Sequence, residues 1–142
     1  MEVTEIVVEA TELIGKCIIG VFGFFLMALG AVAFVRPKVF QSFLSGFAQN
    51  APIHFLEMAF RFIVGVAFLG CASLLNYGYV FQAFGWVLVV TTAVLLFVPW
   101  KIHRKFAVLV VPRALEYTRF MGGTAMVMGA FVVFSLLGGG EI

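Results

Sequence analysis

The stretch Cys17-Ile18-Ile19-Gly20-Val21-Phe22-Gly23-Phe24-Phe25-Leu26-Met27-Ala28-Leu29-Gly30-Ala31-Val32-Ala33-Phe34-Val35 decides the fold. It is uncharged and bounded by Lys16 and Arg36, and its length matches the ~20 residues a helix needs to cross the hydrocarbon core of a bilayer. Three more apolar runs follow. Residues 53–75 carry Glu57 and Arg61 in their first half, residues 80–98 end at Pro99-Trp100, and residues 120–137 give way to Gly138-Gly139-Gly140. All four are apolar all round, with no polar stripe of the kind a soluble surface helix presents.

Composition points the same way. Of 142 residues, 63% are hydrophobic and 11% charged, against ~45–50% and ~25% in soluble domains. A soluble fold of this length keeps too large a surface to hide that surplus, so the surplus must face lipid. The chain has 18 Phe and no Asp, and Phe is favourable but Asp costly at the centre of a membrane helix. The expected fold is therefore all-α: a four-helix transmembrane bundle of two tandem hairpins, residues 17–75 and 80–137. An acidic amphipathic leader, residues 1–16, precedes it, and a flexible C-terminus, residues 138–142, follows. The leader begins with acids where a cleaved signal peptide needs a basic region. Its Glu2, Glu5, Glu9 and Glu12 share one helical face, opposite Ile6, Val7, Ala10, Leu13 and Ile14.

The connectors set an orientation. Asn76-Tyr77-Gly78-Tyr79 is a short uncharged turn, whereas the other two connectors are longer and basic. Residues 38–50 place Val39, Phe40, Phe43, Leu44 and Phe47 opposite Gln41, Ser42, Ser45 and Gln49, the pattern of a helix lying in the membrane interface. Residues 101–111 set Ile102, Phe106 and Leu109 against Lys101, Arg104 and Lys105, and Pro112 is expected to interrupt that helix. The basic corners Arg36, Lys38, Lys101, Arg104, Lys105 and Arg113 mark the cytoplasmic side by the positive-inside rule, which puts both termini outside. Trp100 and Tyr117 then fall at the inner interface and Tyr77 and Tyr79 at the outer one, where amphipathic rings are enriched.

The two halves echo one another. Phe34-Val35-Arg36-Pro37-Lys38-Val39 is matched by Phe97-Val98-Pro99-Trp100-Lys101-Ile102, and Phe43 by Phe106. Leu56-Glu57 answers Leu115-Glu116, Arg61-Phe62 answers Arg119-Phe120, and Gly65 answers Gly123. Such an internal repeat implies two parallel units related by an axis along the membrane normal.

The repeated unit resembles the small two-span bacterial inner-membrane proteins of the YjeT type. The resemblance rests on Ala28-Leu29-Gly30, on Pro99-Trp100-Lys101-Ile102-His103-Arg104-Lys105 and on Arg119-Phe120-Met121-Gly122, and would make this chain a doubled form. It implies a bacterial inner membrane and no particular reaction; in such a membrane the termini that the positive-inside rule puts outside are periplasmic. Through Arg61-Phe62-Ile63-Val64-Gly65 and Phe68 the chain also resembles, less closely, the four-span DoxX type.

Few residues are equipped for chemistry. Glu57 and Arg61 are four apart and share a helical face, as do Glu116 and Arg119, three apart. Ionisable groups within a span turn inward, meet partners or snorkel to headgroups. These pairs are the candidate site for a partner helix, a quinone or an anionic headgroup. His54 and His103, the two histidines, are the residues through which a haem or metal would have to be held. They do not occupy matching positions and no ligand cluster surrounds them, so no cofactor is expected. Cys17 and Cys71 have no metal-type spacing and read as small hydrophobes. Neither a Ser/His/Asp arrangement nor a Gly-rich phosphate loop can be assembled, and there is no basic soluble module for nucleic acid. Gly23 and Gly30 in the first span, and Gly122, Ala125 and Gly129 in the fourth, form small faces on which helices pack closely.

The expectation is a non-enzymatic accessory or scaffold subunit whose partners are the lipid bilayer and other membrane subunits or further copies of itself. A redox or quinone-linked subunit resting on Glu57, Arg61, His54 and His103 is the alternative, followed by an oligomeric small-solute channel or transporter.

Overall fold

The computed structural model describes residues 2–46 and 50–138. Phe47 and Gln49 of the first amphipathic segment, and the C-terminal residues after Gly138, lie outside the described residues. The described chain is helical almost throughout: α1 Val3–Val35, α2 Pro37–Ser45, α3 Ala51–Cys71, α4 Gly78–Phe97, α5 Trp100–Leu115 and α6 Thr118–Leu137. A single 3-10 turn, Ala72–Leu74, extends α3. Four helices are long and apolar enough to cross a membrane: α1, α3 with its extension, α4 and α6.

The sequence punctuates these helices where the chain turns. Pro37 opens α2, a position where the missing N–H loses no bond. Asn50 caps α3 by accepting from the Ile53 N–H at 3.0 Å, and Pro52 sits in that first turn. Tyr77 turns the chain between α3 and α4 in the left-handed region, at φ 61°, with its ring 5.6 Å from that of Phe131. Two elements differ from expectation. Pro112 does not interrupt α5, which runs through it to Leu115. So near the helix end a proline removes one backbone bond and no long segment depends on it. The acidic leader continues into the first span without a break, giving a helix of 33 residues, about 50 Å at 1.5 Å per residue. Gly15 packs against Cys71, and Gly20 against Leu136, near the ends of α3 and α6. Cys71 Sγ also reaches the Glu12 carbonyl at 3.8 Å, so the contact with α3 continues almost a turn before Gly15.

The closest helix pairs are α1 with α6 and α3 with α4. Glycine makes both possible. Gly23 lies against Gly129 and Gly30 against Gly122, so that a Cβ on Gly129 would stand 2.6 Å from the Gly23 carbonyl oxygen and one on Gly30 2.5 Å from that of Gly122. Gly65 and Gly85 do the same for α3 and α4, where a Cβ on Gly85 would sit 2.9 Å from the Gly65 carbonyl oxygen. The two pairs join through Ile19, Val64, Phe68, Phe81 and Val132. Phe68 stacks on Phe81 at 5.4 Å, Phe81 on Phe131 at 5.3 Å, and Phe22 meets Phe68 edge-on at 5.9 Å, so rings from all four spanning helices are in contact near the α3–α4 turn.

Replacing Gly30 by Leu should force α1 from α6 and cost ~1–3 kcal/mol, the usual penalty of overpacking. Gly70→Ala is the control, because a Cβ there meets nothing within 4 Å. It should leave stability unchanged or raise it by up to ~1 kcal/mol. Melting temperatures of the detergent-purified variants test both.

Candidate functional site

The polar side chains of α3 gather in its first three turns. His54, Arg61, Gly65 and Phe68 follow one another on the face turned to α4 and α5, while Ile53, Glu57, Phe60 and Val64 occupy the face turned to α1. Arg61 bridges the two. Its guanidinium lies 3.8 Å from Glu57 Oε1, and it donates to Thr91 Oγ1 of α4 at 3.2 Å. Thr91 in turn donates back to the Val87 carbonyl of its own helix at 2.5 Å. At 3.8 Å the Glu57–Arg61 contact is an ion pair rather than a hydrogen bond, and both side chains are more than two-thirds buried, with 16% and 30% exposed.

Around this pair several polar atoms are left over. Glu57 Oε2, Arg61 Nε, His54 Nδ1 and Thr92 Oγ1 are buried and have no hydrogen-bond partner among the described residues. Each such atom costs ~1–3 kcal/mol if nothing meets it, and native proteins tolerate few of them. Such a concentration within three turns of one helix and the neighbouring turn of α4 marks the place where the chain is incomplete by itself.

The histidines do meet. His54 is 1% exposed, and its ring centroid lies 5.0 Å from that of His103 on α5. Ligation of one iron from opposite sides, with nitrogens ~2.0 Å from the metal, would hold the centroids about 6 Å apart, so the pair does not fit a haem between its rings. Among the described residues, no three His, Cys, Asp or Glu side chains are grouped to hold a metal ion. Both cysteines are free.

Glu116 and Arg119 part company from Glu57 and Arg61. Glu116 caps the end of α5 and Arg119 lies in the first turn of α6, and both are exposed. The break between the two helices separates residues that a continuous span would have placed on one face. Beside them, Gln41 of α2 donates to Thr118 Oγ1 at 3.0 Å and ties α2 to the start of α6. The basic residues Arg36, Lys38, Lys101, Arg104, Lys105 and Arg113 are all exposed. They lie at the α2 and α5 end of the bundle. Of the small residues, Gly23, Gly30, Gly122 and Gly129 are buried in the α1–α6 contact, and Ala125 is partly buried.

Sequence reasoning did not single out Thr91, although a Thr-Thr pair inside an otherwise apolar run was the available signal. It also missed the furrow beside Glu57. Between α1, α2 and α3 lies an apolar cavity of about 910 Å³, walled by Ile18, Val21, Phe22, Phe25, Phe43 and Phe60, with Glu57 as its one charged lining residue among the described residues. A second cavity of about 340 Å³, reaching Glu12 and Gly70, shares Ile18 and Ile63 with it. The two form one furrow along the α1–α3 seam.

Compared with known proteins, the chain matches no family model, no curated sequence and no solved structure. Its reading rests on its own geometry.

Glu57→Leu or Arg61→Leu alone should each destabilise the protein by ~1–3 kcal/mol, because each strands a partly buried partner. The double variant should lose at least ~1 kcal/mol less than the sum of the two. Melting of the four proteins in one detergent completes the cycle, and strict additivity would show that the pair is not coupled.

Proposed function

We propose that this chain is a non-enzymatic accessory or scaffold subunit of a larger complex in a bacterial inner membrane, with both termini on the periplasmic side. The observation that carries the reading is the aromatic packing that closes the bundle between its polar cluster and the α3–α4 turn. Phe22, Phe68, Phe81, Phe84 and Phe131 are in ring contact there. On one side of them lie Glu57, Arg61 and Thr91, and on the other Ser135, whose carbonyl accepts from the Asn76 N–H at 3.2 Å. A transporter places ionisable groups or broken helices near the bilayer midplane. Here Phe68 and Phe81, close to the α3–α4 turn, fill the space between the helices on that side of Arg61, which itself lies near the middle of its span and is held by Glu57 and Thr91.

The outer surface supports the same reading. No residue of α5 is fully buried, and its inner face, His103, Ala107 and Val111, is only partly covered; a helix of this length is marginal in water without a partner surface. With Phe106 and Leu109 as well as Lys101, Arg104 and Lys105 exposed, it offers a membrane surface or a neighbouring subunit both apolar and cationic contacts. The doubled two-span unit belongs to the proposal too. A two-fold exchange of the halves carries the α1–α6 pair onto α4–α3, which are the two closest pairings.

Affinity purification of the full chain in a mild detergent, with absorbance spectroscopy and mass spectrometry of the same sample, tests the proposal. The expected result is a colourless preparation carrying stoichiometric membrane partners. A partnerless homo-oligomer, or a haem-type absorbance in the visible range, would overturn it in favour of transport or redox chemistry respectively.

A further inference from the structure

The furrow along α1 and α3 has the properties of a ligand site. Its volume, about 910 Å³ in the main part, falls in the ~300–1,000 Å³ range of small-molecule clefts, which are typically apolar with a few placed polar groups. The placed group here is Glu57. Its Oε1 faces Arg61, and its Oε2 is buried without a hydrogen-bond partner among the described residues. An ionisable residue set this way inside a span is a functional position, and what it lacks is a donor.

Depth and surroundings narrow the donor's chemistry. Glu57 follows Ala51, the start of α3, by six residues, about 9 Å along the helix axis. In a bilayer that level lies below the headgroups, where an ammonium or phosphate is costly to bring. A neutral hydroxyl is not. Phe25 and Phe60 approach to 6.1 Å, Phe22 and Phe60 to 6.2 Å and Phe25 and Phe43 to 6.2 Å. Rings at such spacing pack edge-on or offset against a further flat ring. Beyond Ile18 and Ile63 the furrow continues to Glu12. From Phe25 to Glu12 along α1 is about 20 Å, space for a hydrocarbon tail. A partner helix fits less well, because close helix contact in lipid uses small residues. Of the glycines of α1 and α3, Gly15, Gly20, Gly23, Gly30 and Gly65 are already packed inside the bundle, which leaves only Gly70, at the far end of the furrow, open.

We infer that the α1–α3 furrow binds a neutral amphiphile with a phenolic, hydroquinone-type head, its hydroxyl donating to Glu57 Oε2 and its tail lying along Ile18 and Ile63. The inference requires the chain to be embedded in a bilayer but is independent of whether it joins a larger complex.

The test uses the full chain in phosphatidylcholine nanodiscs, with decylhydroquinone as the probe and equilibrium dialysis as the readout. Saturable one-to-one binding is expected. Decanol, which lacks the ring, and decylhydroquinone dimethyl ether, which lacks the donor, should bind at least about tenfold more weakly, as should decylhydroquinone to Glu57→Leu. Val21→Trp fills the furrow from an exposed position on α1 and should abolish binding with Glu57 intact. That variant decides the matter if Glu57→Leu fails to fold, as judged by circular dichroism and melting. Absence of saturable binding, equal binding of decanol or the dimethyl ether, or unchanged binding to Val21→Trp would each overturn the inference. So would a phospholipid co-purifying in the furrow at one per chain.

Discussion

The contact on which the rest of the structure depends is the backbone-to-backbone approach of α1 and α6 at Gly23–Gly129 and Gly30–Gly122. In lipid no hydrophobic force draws apolar helices together, so association relies on close van der Waals packing, which small residues permit. Two glycine pairs about two turns apart hold α1 against α6 along most of the shorter helix. The Gly65–Gly85 contact does the same for α3 and α4. What remains between these pairs is set by larger side chains. Where α1 meets α3, Phe22, Phe25 and Phe60 line the seam in ring contact, and helix separation follows the size of the residues at the contact. Tight pairs and a wide seam are two results of one distribution of residue sizes.

The polar cluster follows from the same geometry. α3 serves two neighbours. One face, with Arg61, Gly65 and Phe68, packs on α4, and the other, with Glu57, Phe60 and Val64, looks across the wide seam to α1. Arg61 finds Thr91 because α4 is close. Glu57 finds nothing on the α1 side because α1 is far. The charge pair is thus half satisfied by the bundle, and its other half opens on an apolar furrow. The buried rings of Phe68 and Phe81 lie between this cluster and the α3–α4 turn.

The four spans were legible because twenty or so apolar residues in a row have few other uses, and the turns because Pro37, Pro52, Pro99 and the Asn76–Gly78 segment punctuate them. Most boundaries moved by a few residues, but the first moved by fourteen, from Cys17 to Val3, because the single charge at Lys16 did not end a helix whose neighbours on both sides favour helix. Pro112 misled because its effect depends on how much helix follows. The small-residue faces were readable, but which helices they join was not, since a glycine stripe carries no address. Glu57 and Arg61 were visible as charges in an apolar run. That Glu116 and Arg119 would not repeat their arrangement depends on a helix break at Tyr117 that no local signal announced. The furrow was illegible for a plainer reason: it is the space left by two pairings, and neither is written in one segment.

The pairing of α1 with α6 is the claim most directly open to measurement. Met27 lies against Gly129, and Met126 against Gly30. Met27→Cys and Met126→Cys, introduced together with Cys17→Ala and Cys71→Ala, can be treated in intact membranes with a short thiol-to-thiol cross-linker. An intramolecular link formed in high yield is the predicted result. No link, with each cysteine reactive when present alone, would contradict the pairing and with it the origin of the furrow.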